Sequence, residues 1–195
     1  MNCGQTCVAP DYIYIHESVK EAFISKFIAY LKTTYPNGSL GKIGKIVNPG
    51  QIKHLASYLE AAPEKVIYGG QYDMAKRYFE ATLMDHVTWD DQVMQQEIFG
   101  PILPILTYTD IDDALEEINN RPKPLALYVF SESQAFADDV LNRTTSGDAE
   151  INSTIIHVGS HYLPFGGVGT SGMGKYHGKF SFDAFSHSRS VLQVK

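Results

Sequence analysis

Positive charge and long apolar runs are both scarce in this sequence. Sixteen Lys and Arg residues face twenty-two Asp and Glu residues, which leaves a formal net charge of -6. A chain with this balance has no basic surface to neutralise phosphates, so we predict no nucleic-acid partner. No apolar run approaches the roughly 20 residues that cross a bilayer, and residues 1–5 lack the features of a signal peptide. We therefore expect a cytoplasmic protein without a membrane segment.

Cysteine is also scarce: the sequence has two cysteines, Cys3 and Cys7, which lie four positions apart. A disulfide between them would close a very short loop and stabilise little, which favours a reducing compartment. No metal site is predicted, because a Cys-x3-Cys pair supplies at most two ligands and the seven histidines are scattered singly. Residue chemistry alone therefore gives neither cysteine a role.

Apolar residues are abundant, at 44% of the 195 positions, which predicts a packed core and most simply one domain. Strand-like and helix-like patterns alternate along the chain, and this order favours an α/β fold with a largely parallel sheet flanked by helices. The predicted strands are 12–16, 65–68, 78–84, 102–107, 125–130 and 151–158. Helices are predicted to begin at Ser18, where Glu21 completes a capping box, after Asn48, after Asp110 and at Ser133.

The glycine-rich stretch 164–178 contains two partial matches to phosphate-binding motifs. Residues 167–172 fit G-x-G-x-x-G, but Pro164 breaks the strand that such a motif needs ahead of it. Residues 169–175 fit G-x-x-x-x-G-K, but Tyr176 follows where a P-loop requires Ser or Thr. Neither match predicts an independent phosphate site. The glycines instead indicate a backbone that passes close to a ligand or to another element.

Two segments carry a resemblance to a known family. Residues 2–7 read Asn-Cys-Gly-Gln-Thr-Cys, and Ala-Pro-Asp-Tyr follows at 9–12. This order resembles the nucleophile motif of the aldehyde dehydrogenases, in which the cysteine after Gly-Gln-x is catalytic. The resemblance assigns that role to Cys7 rather than Cys3. Residues 96–101 resemble the second signature of the family, and they imply that Glu97 bonds the nicotinamide ribose and that Phe99 lies by the nicotinamide ring.

Three further segments are similar to the class 3 branch of this family, which handles fatty and aromatic aldehydes. They are 124–128, 164–169 and 171–178, and all five matches follow the order of the family. The resemblance places Asn2, Phe165, Gly166 and Gly167 at the substrate or in the active-site loop. Asp148 is a departure, since relatives usually carry a glycine there.

The resemblance also sets expectations for the whole chain. Residues 1–187 are expected to form the aldehyde dehydrogenase catalytic domain, and 188–195 a C-terminal oligomerisation strand that pairs outside it, or a frayed tail. In the family, a cofactor domain with an oxyanion-hole asparagine and a glutamate base precedes the nucleophile motif, and this sequence contains none of these. We expect NAD or NADP to be bound mostly by that absent domain, a homodimer in the full-length enzyme, and negligible turnover by this chain alone.

Three alternatives from other functional classes stay open at this point. The chain could act as a non-catalytic interaction or dimerisation module, which would show no thiol reactivity. It could act as a cysteine esterase or acyltransferase through Cys7 without redox chemistry. Cys3 and Cys7 could also form a redox thiol pair. The order of the motifs favours the dehydrogenase over all three.

Overall fold

The computed structural model describes residues 2–195, and the chain divides into two compact units between Ala114 and Leu115. The first unit carries the segment around Cys7 together with residues 97–101. The second unit carries the glycine-rich stretch.

The first unit is built on a four-stranded sheet in the order β1 (Ile13–His16), β6 (Ile102–Tyr108), β5 (Thr82–Met84), β2 (Val66–Tyr68). β6 runs parallel to both β1 and β5, and β2 closes the edge antiparallel to β5. Helix α1 (Glu17–Thr34) packs against β1 and β6. The elements are β1 (Ile13–His16), α1 (Glu17–Thr34), α2 (Pro49–Ala61), β2 (Val66–Tyr68), the hairpin strands β3 (Tyr72–Asp73) and β4 (Tyr78–Phe79), β5 (Thr82–Met84) and β6 (Ile102–Tyr108).

Helix α3 (Ile111–Asn119) crosses the division between the units, and the second unit continues with one parallel strand pair. Its elements are β7 (Ala126–Val129), α4 (Gln134–Arg143), β8 (Asp148–Ile151) and α5 (Gly178–Ala184). β7 and β8 pair in parallel with α4 between them along the chain. The predicted α/β fold with a largely parallel sheet flanked by helices is therefore confirmed.

Helix α2 lies at the centre of the core of the first unit. Asn48 caps the helix, since its side-chain oxygen accepts the Gln51 N–H at 2.8 Å, and Pro49 occupies the first helical position as predicted. One face of the helix is buried with the end of the β4 hairpin and with residues near 98. The core cluster includes Ile46, Ile52, Leu55, Tyr58, Phe79, Met84, Ile98 and Ile102. This packing brings α2 under the segment that contains Glu97 and Phe99.

The prediction of one strand over 78–84 is wrong, because the chain changes partners in the middle of it. β4 pairs with β3, whereas β5 pairs with β2 and β6. Between them, the Glu80 N–H donates to the Gln71 carbonyl at 2.9 Å and the Ala81 N–H donates to the Ser39 hydroxyl at 2.8 Å. Alternating side chains predict extended backbone, but they do not say which neighbour accepts its hydrogen bonds.

The predicted strand over 151–158 is also wrong, since β8 ends at Ile151. Asn152 adopts a left-handed backbone with a φ of 57°, and its side-chain amide bonds both the N–H and the carbonyl of Ser131. Ile155 is left-handed as well, and a 3-10 turn, Ile156–Gly159, follows. Asparagine tolerates the left-handed region because its side chain bonds locally, so it ends the strand despite the apolar residues that follow.

The first helix begins earlier than predicted. His16 caps it, since its Nδ1 accepts the Ser18 N–H at 3.2 Å, so Ser18 lies inside α1 rather than at its cap. At the other end of the chain, residues 188–195 are exposed and form no regular secondary structure. Their pairing outside the domain stays a prediction. Across residues 2–195, no helix has the length and apolar character needed to cross a membrane.

Candidate active site

The segment that carries Cys7 starts with three consecutive left-handed residues. Asn2, Cys3 and Gly4 have φ values of 50°, 57° and 73°, and together they form a 3-10 turn. Hydrogen bonds from the side chain of Gln5 hold this turn in place. Its buried side-chain amide donates to the Asn2 carbonyl at 3.1 Å and to the Lys45 carbonyl at 3.0 Å, and it accepts the Val47 N–H at 2.8 Å. The glutamine of the nucleophile motif is therefore an anchor that ties the turn to 45–47.

The two cysteines lie in opposite environments, although only three residues separate them. Cys3 is buried in the core cluster, and burial raises the pKa of its thiol to about 11. Cys7 is exposed, and both cysteines are free thiols. Because the thiolate is the nucleophile, Cys3 is poorly suited to react and Cys7 is the accessible thiol. This contrast works against a redox pair between Cys3 and Cys7.

The irregular segment 97–100, hereafter the 97–100 turn, lies directly against the Cys7 segment. A Cβ placed on Gly4 would stand 2.2 Å from the carbonyl oxygen of Gly100. A Cβ placed on Gly100 would stand 2.6 Å from the Leu55 side chain of α2. Two glycines therefore allow the backbones of the two motifs to touch, which neither motif reveals when it is read alone.

The peptide groups around Ile98 are held from two sides. Asp11 Oδ1 accepts the Ile98 N–H at 3.0 Å, and Gln51 Nε2 donates to the carbonyls of Ile98 and Phe99 at 3.0 and 3.3 Å. Ile98 is buried, Phe99 is half-buried with a left-handed φ of 49°, and Glu97 is exposed. The 97–100 turn thus uses Ile98 as an anchor and presents the side chains on either side of it.

The carboxyl group of Asp11, beside this turn, has a raised pKa. Burial raises its pKa to about 6, the Ile98 N–H opposes that rise, and the charge of Glu97 adds to it. Burial also raises the pKa of Tyr58, and the negative charge of Asp11 contributes. The Tyr58 hydroxyl lies 2.6 Å from Nε2 of His54. The site therefore contains a partly buried carboxylate that the sequence did not single out.

The active-site loop predicted at 165–167 belongs to the second unit. Phe165 exchanges two backbone hydrogen bonds with Tyr176, each 2.9 Å long, and its ring stacks on that of His177. A Cβ on Gly167 would stand 2.1 Å from the Ser171 carbonyl oxygen, which confirms the close backbone approach expected from the glycines. Asp148, the departure from the family, accepts the Gly166 N–H at 3.3 Å and pairs with Lys175.

Among the predicted site residues, the structure thus brings the Cys7 segment, including the exposed Asn2, against the turn of Glu97 and Phe99. Sequence reasoning missed two residues that shape this contact, Asp11 and Gln51. Asp11 stood in the nucleophile motif, and an acidic residue beside an apolar strand was the available signal. Gln51 gave no signal, because a glutamine in the first turn of a helix is ordinary.

The surroundings of the 97–100 turn suit a dinucleotide by their chemistry. An exposed carboxylate accepts hydrogen bonds from ribose hydroxyls, and an aromatic ring offers a face or an edge to a nicotinamide ring. Glu97 and Phe99 supply these two groups from neighbouring positions, and the close approach of Gly4 and Gly100 joins them to the segment of the free thiol.

Comparison with known proteins gives a consistent result. The model of the aldehyde dehydrogenase family matches residues 1–191. The chain is 49% identical over 193 residues to the 4,4'-diaponeurosporen-aldehyde dehydrogenase of Staphylococcus aureus, and the match covers 98% of this chain and 42% of that protein. It is 44% identical over 194 residues to the dimeric NADP-preferring aldehyde dehydrogenase of Canis lupus familiaris, with 98% and 42% covered. The chain therefore spans about two fifths of the length of these relatives.

The fold agrees with the sequence comparison. The substrate-bound structure of Staphylococcus aureus AldH superimposes with a TM-score of 0.90 at 46% sequence identity, and the match covers 99% of this chain and 44% of that one. Several relatives carry the name of aldehyde dehydrogenase family 3, which confirms the class 3 resemblance. Because the family model matches nearly the whole length of this chain, the chain belongs to the aldehyde dehydrogenase family.

Proposed function

We propose that this chain supplies the thiol and part of the cofactor contact of an enzyme that oxidises aldehydes to carboxylic acids. The observation that carries the proposal is the contact between the segment of the exposed Cys7 and the turn that presents Glu97 and Phe99, through Gly4 and Gly100. A nucleophile and a cofactor-contacting turn must share one site for such a reaction, and here their backbones touch.

Cys7 performs the covalent chemistry in this proposal. Its thiolate attacks the aldehyde carbon, so that a sulfur–carbon bond forms and the carbonyl electron pair moves to oxygen. Departure of the hydride leaves a thioester on Cys7. Water then adds to the thioester carbon and the carbon–sulfur bond breaks. The carboxylic acid leaves, the thiolate is restored, and the second proton of the water passes to solvent. By resemblance, the backbone N–H of Cys7 provides one half of the oxyanion hole.

NAD or NADP, when bound, supplies the acceptor of the hydride. We assign to Glu97 a hydrogen bond with the nicotinamide ribose and to Phe99 a place beside the nicotinamide ring, both by resemblance to the family. The name of the canine relative, an NADP-preferring enzyme, keeps both dinucleotides within the proposal. Most of the cofactor contact is assigned to a domain outside these 195 residues.

An apolar aldehyde is the proposed substrate. The class 3 resemblance implies fatty and aromatic aldehydes, and the staphylococcal relative is named for a diaponeurosporen aldehyde. We assign Phe165, Gly166 and Gly167 to the substrate loop and Asn2 to the active-site turn. The aromatic ring of Phe165 and the bare backbone of the two glycines suit an apolar chain that must come close.

The location and assembly of the full-length enzyme complete the proposal. A cytoplasmic location agrees with the reduced thiol that attack by Cys7 requires. A homodimer agrees with the name of the canine relative. Residues 188–195 are proposed to pair outside the domain, since their apolar residues Val191, Leu192 and Val194 are exposed.

A polypeptide of these 195 residues alone is proposed to turn over negligibly. The oxyanion-hole asparagine and the glutamate base of the family motifs do not occur in the sequence. Lack of one oxyanion donor costs about 10²–10³ in rate, and lack of a general base about 10²–10⁴ more. Purified residues 1–195 should therefore form no steady NADH, and turnover that disappears in Cys7→Ala would contradict this part of the proposal.

The activity itself is tested by fusing the dinucleotide-binding domain of a class 3 relative ahead of residue 1. We expect reduced dinucleotide to form from an aromatic and a medium-chain aldehyde, to disappear in Cys7→Ala and to persist in the matched variant Cys3→Ala. Production that survives Cys7→Ala would refute the proposal. Ester hydrolysis through Cys7 without any dinucleotide reduction would identify a thiol esterase instead, and an unreactive Cys7 would favour an interaction module.

A further inference from the structure

The carboxylate of Asp11 has no part in the chemistry assigned to Cys7, yet it lies under the 97–100 turn. Asp11 follows Cys7 by four residues, and its Oδ1 accepts the Ile98 N–H at 3.0 Å across 87 positions of sequence. This hydrogen bond links the Cys7 segment to the turn in addition to the close approach of Gly4 and Gly100.

Keeping a charged carboxylate at this position works against stability. Burial raises the pKa of Asp11 to about 6, and the nearby charge of Glu97 acts in the same direction. A partly buried charge is tolerated when a hydrogen bond compensates it, and the Ile98 N–H supplies that bond. An apolar residue would avoid the cost of the charge, but it would leave the buried Ile98 N–H without this acceptor.

The turn itself requires support from outside. Phe99 has a left-handed φ of 49°, a backbone conformation that is strained for a residue with a Cβ. The Gln51 side chain donates hydrogen bonds to the carbonyls of Ile98 and Phe99, and the Asp11 carboxylate accepts one from the Ile98 N–H. The side chains of Glu97 and Phe99 leave the backbone on either side of this clamped peptide.

We propose that Asp11 is a positioning residue that, by accepting the Ile98 N–H, fixes the turn of Glu97 and Phe99 against the segment that carries Cys7. The inference rests on the proposed function for the roles of Cys7, Glu97 and Phe99. Asp11 touches neither substrate nor cofactor in this account. It acts on them through the backbone of Ile98, and the amide of Ile98 is therefore the place to test it.

The test is amide hydrogen exchange and amide chemical shift at Ile98, measured by NMR on the full chain without aldehyde or dinucleotide. Asp11→Ala removes the acceptor, so exchange at Ile98 should accelerate by about 10- to 100-fold, as expected for loss of a hydrogen bond to a charged group. Asp11→Asn keeps an acceptor oxygen in the same place and should restore protection to within a few-fold. Asp90→Ala, an exposed aspartate in the same unit, is the matched control and should change nothing.

A pH profile separates positioning from a general loss of stability and serves also if Asp11→Ala does not fold. The Ile98 amide shift should titrate with a midpoint near 6 in the parent chain, persist in Asp90→Ala and disappear in Asp11→Asn. Within residues 2–195, the charge of Glu97 acts on Asp11, the charge of Asp11 acts on Tyr58, and His54 Nε2 lies 2.6 Å from the Tyr58 hydroxyl. Glu97→Gln and His54→Gln should therefore retain the titration.

A titration that survives Asp11→Asn, or Ile98 exchange that is equally slow in Asp11→Ala, would overturn the inference. These readouts do not depend on turnover. If the fusion enzyme fails to reduce a dinucleotide while the Ile98 amide behaves as expected, the proposed function falls and the positioning of the turn by Asp11 remains. If the fusion enzyme reduces a dinucleotide but the Ile98 amide does not respond to substitution of Asp11, the positioning by Asp11 is refuted and the proposed function remains.

Discussion

Replacing Gly4 by alanine tests the contact on which the site is built. Two penalties arise at this position. The φ of 73° is left-handed, which costs an alanine about 1–2 kcal/mol. The new Cβ would also stand 2.2 Å from the Gly100 carbonyl oxygen, about 1 Å closer than a Cβ contact allows, and both partners are backbone. Overpacking of this kind costs about 1–3 kcal/mol more. We therefore expect Gly4→Ala to lower the free energy of unfolding by about 2–5 kcal/mol.

Gly41 provides the matched control for the backbone strain. It has the same φ of 73°, but the nearest atom to its added Cβ is a ring carbon of Tyr78 at 3.2 Å, and that side chain can move by a few tenths of an ångström. Gly41→Ala should therefore show the strain without the backbone collision. The difference between the two variants, about 1–3 kcal/mol, isolates the contact between the two motifs.

Urea denaturation followed by the fluorescence of Trp89, the single tryptophan, measures the first unit in both variants. The fused enzyme should lose turnover in Gly4→Ala before it loses its fold, because displacement of Gly100 moves the neighbouring Phe99. If Gly4→Ala is no less stable than Gly41→Ala, the backbones of the two motifs do not touch. The proposal that Cys7 and the 97–100 turn share one site is then refuted.

Three further predictions follow from the same structure. Iodoacetamide at about pH 8 should label Cys7 and leave Cys3 unmodified in the folded chain, because a pKa of about 11 leaves only about one part in a thousand of Cys3 as thiolate. Peptide mass spectrometry that finds both cysteines equally labelled would contradict this prediction. The pKa of Asp11 is raised in the folded protein, which therefore binds this proton more tightly, so the free energy of unfolding should fall as the pH rises from about 4 to 6. In urea denaturation, Asp11→Asn should remove that pH dependence and raise the free energy of unfolding by about 1–3 kcal/mol at neutral pH. An unchanged pH dependence would argue against the burial of this carboxylate. Asn48→Ala removes the cap of α2 and should lower the free energy of unfolding by about 1 kcal/mol in urea denaturation. As the control, Asn37→Ala at an exposed position should change it by less than about 0.5 kcal/mol. Equal effects would mean that the cap is not formed.

Local physics made most of the elements predictable from the sequence. The caps at Asn48 and Ser133 and the helix after Asp110 depend on side chains that bond backbone within a few residues, and all three helices form where those residues predict them. Strand β6 was likewise predictable, because its continuous apolar residues by themselves indicate a buried strand. The motifs around Cys7 and Glu97 were recognisable because each is contiguous, and their order along the chain carried the resemblance to the family that the comparisons confirmed.

The tertiary structure decided which of these pieces meet and at what cost. The strand predicted at 78–84 breaks because β4 and β5 have different partners, and Asn152 ends β8 through a bond to Ser131, 21 positions away. The hydrogen bond from Ile98 to Asp11 spans 87 positions, and the raised pKa of Asp11 exists only once that distance is closed and water is removed. Side-chain periodicity records which face of an element avoids water. Desolvation and close backbone approach depend on residues far apart in the chain, so only the folded molecule shows them.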